Sequence, residues 1–136
     1  MALELVTVEQ ARAHLRLDAD SAGGPDDLWL QDAIPDVSDA VALWLKDEWR
    51  LYVIERLPDG EPVLDSSGEP VPAMDSSDLP IVRPAVRRAV LLELASQYRF
   101  REGEGDNVVP ADAGHGYVLS KGATALLAPL RRSTVR

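Results

Sequence analysis

The chain is predicted to fold as a mainly α, small helical bundle of about four helices, with a β-hairpin or irregular excursion inserted between the second and third. Three observations lead there. Apolar residues recur at spacings of three and four along 25–46 and 84–102. Two shorter segments, 7–16 and 120–129, open on hydroxyl residues able to cap a helix. Between 50 and 80 the helical period vanishes, and five prolines from 58 to 80 exclude a helix. At 136 residues and with no cysteine, the chain is read as one domain, 1–136, with neither a disulfide framework nor a cysteine zinc site.

The first helix starts from a capping-box pattern. Thr7 stands as N-cap and Gln10 three residues on, after which Val8, Ala11 and Leu15 share one face up to Arg16. Asp18–Gly24 is a loop with a weak likeness to a calcium loop in Asp18, Asp20 and Gly23. Ala22 and Trp29 occupy two of the ligand positions, so metal binding is not expected. Pro25 opens the second helix with Asp26 and Asp27 in its first turn, where the helix dipole favours acids. Trp29, Leu30, Ala33, Ile34, Val37, Ala40, Val41, Trp44 and Leu45 carry the period on, and Pro35 inside the run predicts a kink rather than a break.

The excursion is predicted from composition. Arg50–Leu57 is rich in β-branched and aromatic residues, Pro58-Asp59-Gly60 signals a turn, and Glu61–Asp65 follows as a second arm. Gly-Glu-Pro-Val occurs at 60–63 and again at 68–71, which reads as two turn-and-strand units.

The third helix is the expected centre of the bundle. Pro84 suits its first position, and Val86, Ala89, Val90, Leu92, Leu94, Ala95 and Tyr98 make a broad apolar face. Arg87, Arg88 and Glu93 fall between the apolar rows and are expected on its exposed side. Arg99 and Arg101 complement the C-terminal dipole, with Gly103 beyond it. Gly103–Gly116 is polar and glycine-rich. Ser120 then caps a last helix over Lys121–Ala128, with Leu126 and Leu127 inward, before a basic tail at 130–136 that is expected to be extended.

Charge is split along the chain. Asp18 to Asp78 holds sixteen acids against Lys46, Arg50 and Arg56, whereas Arg83 to Arg136 holds nine bases against five acids. Two oppositely charged halves can attract the opposite halves of neighbouring copies. The overall charge of −9 argues against general binding to phosphate backbones. Met1–Val8 lacks the basic start and apolar run of a secretory leader, and nothing approaches the ~18 apolar residues of a membrane span, so a chain made without a leader and without a membrane segment is expected. His14 reads as a structural contact. His115 has no nucleophile or orienting acid at a recognisable spacing, and the phosphate-loop, nucleophile-elbow and zinc-protease motifs are absent. No enzyme activity, catalytic residue, metal or cofactor is expected.

Four segments in order resemble one family. Val6–Asp18, VTVEQARAHLRLD, is similar to the opening of the head–tail connector (adaptor) proteins of long-tailed phages. Asp26–Leu45 resembles their second helix, and Ala85–Glu102, with Gln97-Tyr98 and Phe100-Arg101-Glu102, their third. Leu119–Arg132, LSKGATALLAPLRR, resembles their closing segment, departing at Ser120-Lys121 and Leu130. The resemblance implies a virion protein, made in the bacterial host cytoplasm, that forms a ring (commonly dodecameric) at the head–tail junction. Such a ring docks beneath the portal protein, extends the DNA channel without reading sequence, and carries the stopper or tail-completion proteins. The residues expected to act are Arg131, Arg132 and Arg136 as a portal-docking tail, and Arg83, Arg87 and Arg88 as a basic inter-subunit surface. The competing readings are another phage neck or tail-completion module, or a small DNA-binding regulator using the same arginines, for which no helix-turn-helix spacing exists.

Overall fold

A computed structural model describes residues 3–101 and 119–131. Four helices form in the predicted order: α1 Val8–Leu15, α2 Pro25–Leu45, α3 Pro84–Arg101 and α4 Lys121–Leu127. The capping box closes α1 as expected, since Thr7 Oγ1 accepts the Gln10 N–H at 3.0 Å and Gln10 Oε1 accepts the Thr7 N–H at 2.9 Å. Arg16, in the left-handed region at φ 57°, ends the helix and sends its N–H back to the Ala13 and Arg12 carbonyls. Helix α2 runs unbroken through Pro35 for 21 residues. It stops at Lys46, whose φ of 75° sits at the centre of a γ-turn closed by the Asp47 N–H on the Leu45 carbonyl at 3.0 Å.

The core lies where α2, α3 and α4 meet, with α1 and the segment before it, through Leu5, Val6 and Ala11, joining it. Leu30, Ile34, Val37, Val41 and Leu45 of α2 face Val86, Ala89, Val90 and Leu94 of α3, and Ala123 and Leu127 join from α4. Three features depart from the sequence reading. Leu92 is only half-buried, at α4, where its Cδ1 would lie 3.6 Å from a Cβ on Gly122. Ser38, a polar residue, is fully buried in the middle of α2 because its Oγ accepts the Leu5 N–H at 3.0 Å, which pins the N-terminal segment to the bundle.

Glu93 is the largest correction. Expected on the exposed side of α3, it is 4% exposed, and its Oε2 accepts the Ser120 N–H at 2.8 Å. A carboxylate enters the seam because the first turn of a helix leaves backbone N–H groups without intrahelical partners. Ser120 Oγ in turn accepts the Ala123 N–H at 3.3 Å, completing the predicted cap of α4.

The insertion takes an irregular form. Arg50 and Leu51 lie in a 3₁₀ turn over Glu48–Leu51, not in a strand, and an antiparallel Arg56–Pro62 bridge flanks the Pro58–Gly60 turn without extending into a regular hairpin ladder. Instead, five isolated antiparallel bridges join Tyr52 to Val82, Ile54 to Pro72, Arg56 to Pro62, Leu64 to Pro70 and Met74 to Pro80. Two three-way exchanges hold them together. Glu55 N–H donates to Val71 C=O, Val71 N–H to Val63 C=O, and Val63 N–H back to Glu55 C=O, at 2.8–2.9 Å. Val53, Ile81 and Ala73 close a second such triangle at 2.8–3.0 Å. All the residues donating across these junctions are odd-numbered, whereas Pro58, Pro62, Pro70, Pro72 and Pro80 are even. Proline thus falls wherever the pleat needs no N–H. The repeated Gly-Glu-Pro-Val has a third, disguised copy in Asp78-Leu79-Pro80-Ile81, where Asp78 takes the positive φ held by Gly60 and Gly68.

Two outcomes follow from this packing. Leu94→Ala should cost about 2–5 kcal/mol of unfolding free energy, and Leu92→Ala measurably less in the same urea titration. Glu93→Ala should also be destabilising, by about 1–3 kcal/mol, because it orphans the Ser120 N–H; equal stability of Glu93→Ala and wild type would refute the buried role. Replacing 56–79 with a short Gly/Ser linker should leave the helical circular dichroism intact, since the two triangles bond only among themselves and loop closure adds little.

Candidate assembly surfaces

Arg83, Arg87 and Arg88, expected to make a basic surface, lie at the N-terminal end of α3. Arg87 and Arg88 are exposed, and Arg83 is half-buried just before Pro84. The Arg83 carbonyl accepts the Arg87 N–H at 3.0 Å, and the Arg83 N–H reaches the Leu51 carbonyl at 2.9 Å, so the backbone under these arginines is fixed. Arg83 Nε is buried with no hydrogen-bond partner among the described residues. The first turn of α3 holds no acid. Arg83 precedes the helix and Arg87 and Arg88 follow in its opening turns, toward the end whose dipole disfavours cations. His14 of α1 lies nearby; burial and then the Arg88 charge hold its pKa below the ordinary 6.5.

The tail is only partly what the sequence predicted. Leu130 belongs to a 3₁₀ turn, Ala128–Leu130, that continues α4 through Pro129, and its carbonyl accepts from Arg50 Nη1 at 2.8 Å. Arg50 is itself fixed by Asp47 at 2.9 Å and by the Trp49 ring, whose centroid lies 4.4 Å from its guanidinium. Arg131 is laid over Trp44 at 4.4 Å. Leu130 and Arg131, the first two residues of the expected tail, are therefore tied down. Arg132 and Arg136 lie outside the described residues, as do His115 and the glycine-rich stretch 103–116.

Arg131 and Trp44 border an open groove of about 500 Å³, lined also by Asp36, Asp39, Ala40, Leu43 and Leu119. Arg131 lines this groove beside α2, whereas none of Arg83, Arg87 and Arg88 does.

The loop after α1 is filled from within. Arg12 donates to the Asp27 carboxylate, to the Asp18 carbonyl and to the Ser21 hydroxyl, the last at 2.9 Å. Asp27 accepts in addition the Gly23 N–H at 2.7 Å. A guanidinium thus stands where a calcium loop would place its ion. No group of three or more histidines, cysteines or carboxylates able to hold a metal occurs among the described residues. On the neighbouring side, Tyr98 donates to Asp26 at 3.1 Å and its ring meets Trp29 edge-on at 5.6 Å, binding the C-terminal half of α3 to the start of α2.

Comparison with known protein families, curated proteins and solved structures finds no match. No described helix is long and apolar enough to cross a membrane.

The Arg12 cluster gives a pH signature. The Gly23 N–H and then the Arg12 guanidinium hold the Asp27 pKa below its ordinary 3.8. A carboxylate whose pKa is lowered on folding adds stability that is complete above the unfolded value and is lost as pH falls through the folded one. The stability difference between wild type and Asp27→Asn should be flat above about pH 5 and shrink steadily in more acid solution. A difference that grows on acidification would overturn the pairing.

Proposed function

We propose that this protein is a structural component of a phage head–tail junction, a connector that assembles as a ring beneath the portal. The observation that carries the reading is the order of four segments, 6–18, 26–45, 85–102 and 119–132, each similar to the corresponding segment of the connector family. The bundle supports it by giving each segment a part in one core. Segment 6–18 supplies the capping box and Arg12, 26–45 and 85–102 supply the two long helices, and 119–131 supplies the short helix that closes on Glu93. A family signature spread over elements that pack together describes a scaffold rather than a single active centre.

The ring offers subunit surfaces of opposite charge, and a closed ring is built from such unlike faces meeting head to tail. The portal and the stopper or tail-completion proteins are its proposed partners, with DNA passing through the channel by shape alone. No catalytic step is assigned. The arginines beyond the groove, Arg132 and Arg136, are proposed to reach the portal, with Arg131 as their fixed root on Trp44.

The test is co-sedimentation with capsids that bear a portal and with capsids that lack one. The expected result is binding to the first alone, with ring density below the portal in electron micrographs. Equal binding to both, or to neither, would overturn the proposal. Deleting 132–136 should weaken the binding while leaving the melting temperature unchanged.

A further inference from the structure

The side of α2 that faces away from the core carries an ordered pattern of its own. Leu28, Asp32, Asp36, Asp39 and Leu43 follow one another at spacings of four, four, three and four residues, and all five are exposed. This single stripe is about 22 Å long at the rise of an α-helix. Its ends are the two most solvent-exposed large apolar side chains among the described residues, Leu28 at 62% and Leu43 at 72%. The three aspartates between them are helical neighbours of like charge, an arrangement that costs an isolated helix stability. The ion pairs of Arg12 with Asp27 and of Arg50 with Asp47 involve none of the three, which have no cation partner among the described residues.

The mirror situation exists on α3. Arg87 and Arg88 are exposed, unpaired among the described residues, and set at the helix end that disfavours cations. Helices α2 and α3 share the core through Val37, Val41, Val86 and Val90. The stripe and the arginines lie on sides of their helices turned away from that shared core, so one chain cannot bring them together.

We infer that the Leu28–Leu43 stripe of α2 is the docking face for the Arg87/Arg88 end of α3 in a second copy of this chain. The inference rests on the proposed ring and names its subunit contact. Pairing relieves both local penalties at once: the aspartates gain cations, the arginines gain anions, and the two leucines leave water at the rim of the contact. Each copy presents one face and receives the other, so the contact is heterologous and propagates from copy to copy. Asp36, Asp39 and Leu43 also line the groove beside Trp44 and Arg131, which gives the incoming face a concave edge against which to seat. Charge pairs of this kind fix register and orientation, and the leucine ends supply the desolvated contact that surface ion pairs alone lack.

The experiment uses two variants and sedimentation velocity at low ionic strength. One carries Asp32→Lys, Asp36→Lys and Asp39→Lys; the other carries Arg87→Gln and Arg88→Gln. All five positions are exposed, and circular dichroism with melting verifies that each variant folds. Wild type should associate, and do so more weakly as salt approaches 1 M, where the screening length is about 3 Å. Each variant alone should lose association by about tenfold or more in dissociation constant. Mixed one to one, they should form a heterodimer and nothing larger, because one intact α2 stripe meets one intact α3 face and no second contact remains. Leu28→Ser with Leu43→Ser should also weaken association with all charges in place.

A monomeric wild type, unimpaired variants, or a mixture that stays monomeric would each overturn the inference. Loss of portal-capsid binding by the stripe variant with self-association unchanged would assign the stripe to the portal and overturn it as well. If the variants behave as expected but wild type ignores portal-bearing capsids, the subunit contact stands and the proposed function falls.

Discussion

A buried carboxylate decides how the two ends of this protein join. Helix α4 has seven residues, too few to persist on its own, and it follows a long segment that separates it from α3. Glu93 receives the Ser120 N–H at the point where α4 begins, so the charge inside the seam answers an N–H that the helix cannot satisfy itself. Ala123 and Leu127 then seat on the same helix that carries Glu93, and the C-terminal chain is held beyond them by the Arg50 bond to the Leu130 carbonyl. Removing apolar contacts would loosen this arrangement gradually. Removing the carboxylate would leave its start undefined.

The proline-rich head shows the opposite economy. It has almost no ladder, yet its cross-strand N–H groups find carbonyls through the two triangular exchanges. Asp65 and Asp75 stiffen two of its turns by accepting two backbone N–H groups each on one oxygen, from Ser67 and Glu69 and from Ser77 and Leu79. These bonds are internal to the head, and Tyr52, Val82 and the Arg83–Leu51 bond attach it to the bundle. Such an insertion can keep its own shape apart from the packing of the bundle.

Charge is arranged so that the isolated chain leaves it unresolved. Arg12 and Asp27 neutralise one another in a loop that fixes the angle between α1 and α2. Asp32, Asp36 and Asp39 of α2 and Arg87 and Arg88 of α3 have no such partner among the described residues. In the proposed ring, surfaces that complement each other and not themselves are what a head-to-tail contact requires.

The helices were legible because they rest on local rules. The capping residues Thr7 and Ser120, the proline at the start of α3 and the three-four spacing of α2 each act within one or two turns, so the residues alone specify them. The net acidity of the first half and the basic α3 turn were equally open to reading, as charge is a property of composition. What periodicity could not assign was any role that depends on a distant partner. Ser38 reads as a polar interruption until Leu5 is seen to need its oxygen, and Glu93 reads as a surface acid until Ser120 is brought to it across 27 residues of sequence. The three-way exchanges of the head were hidden for the same reason: prolines announce where an N–H is absent, but not which carbonyl the neighbouring N–H will find. Local sequence determined the elements and their charges; only the tertiary structure decided which polar groups would be buried together, because burying one is tolerable only where the fold delivers its partner.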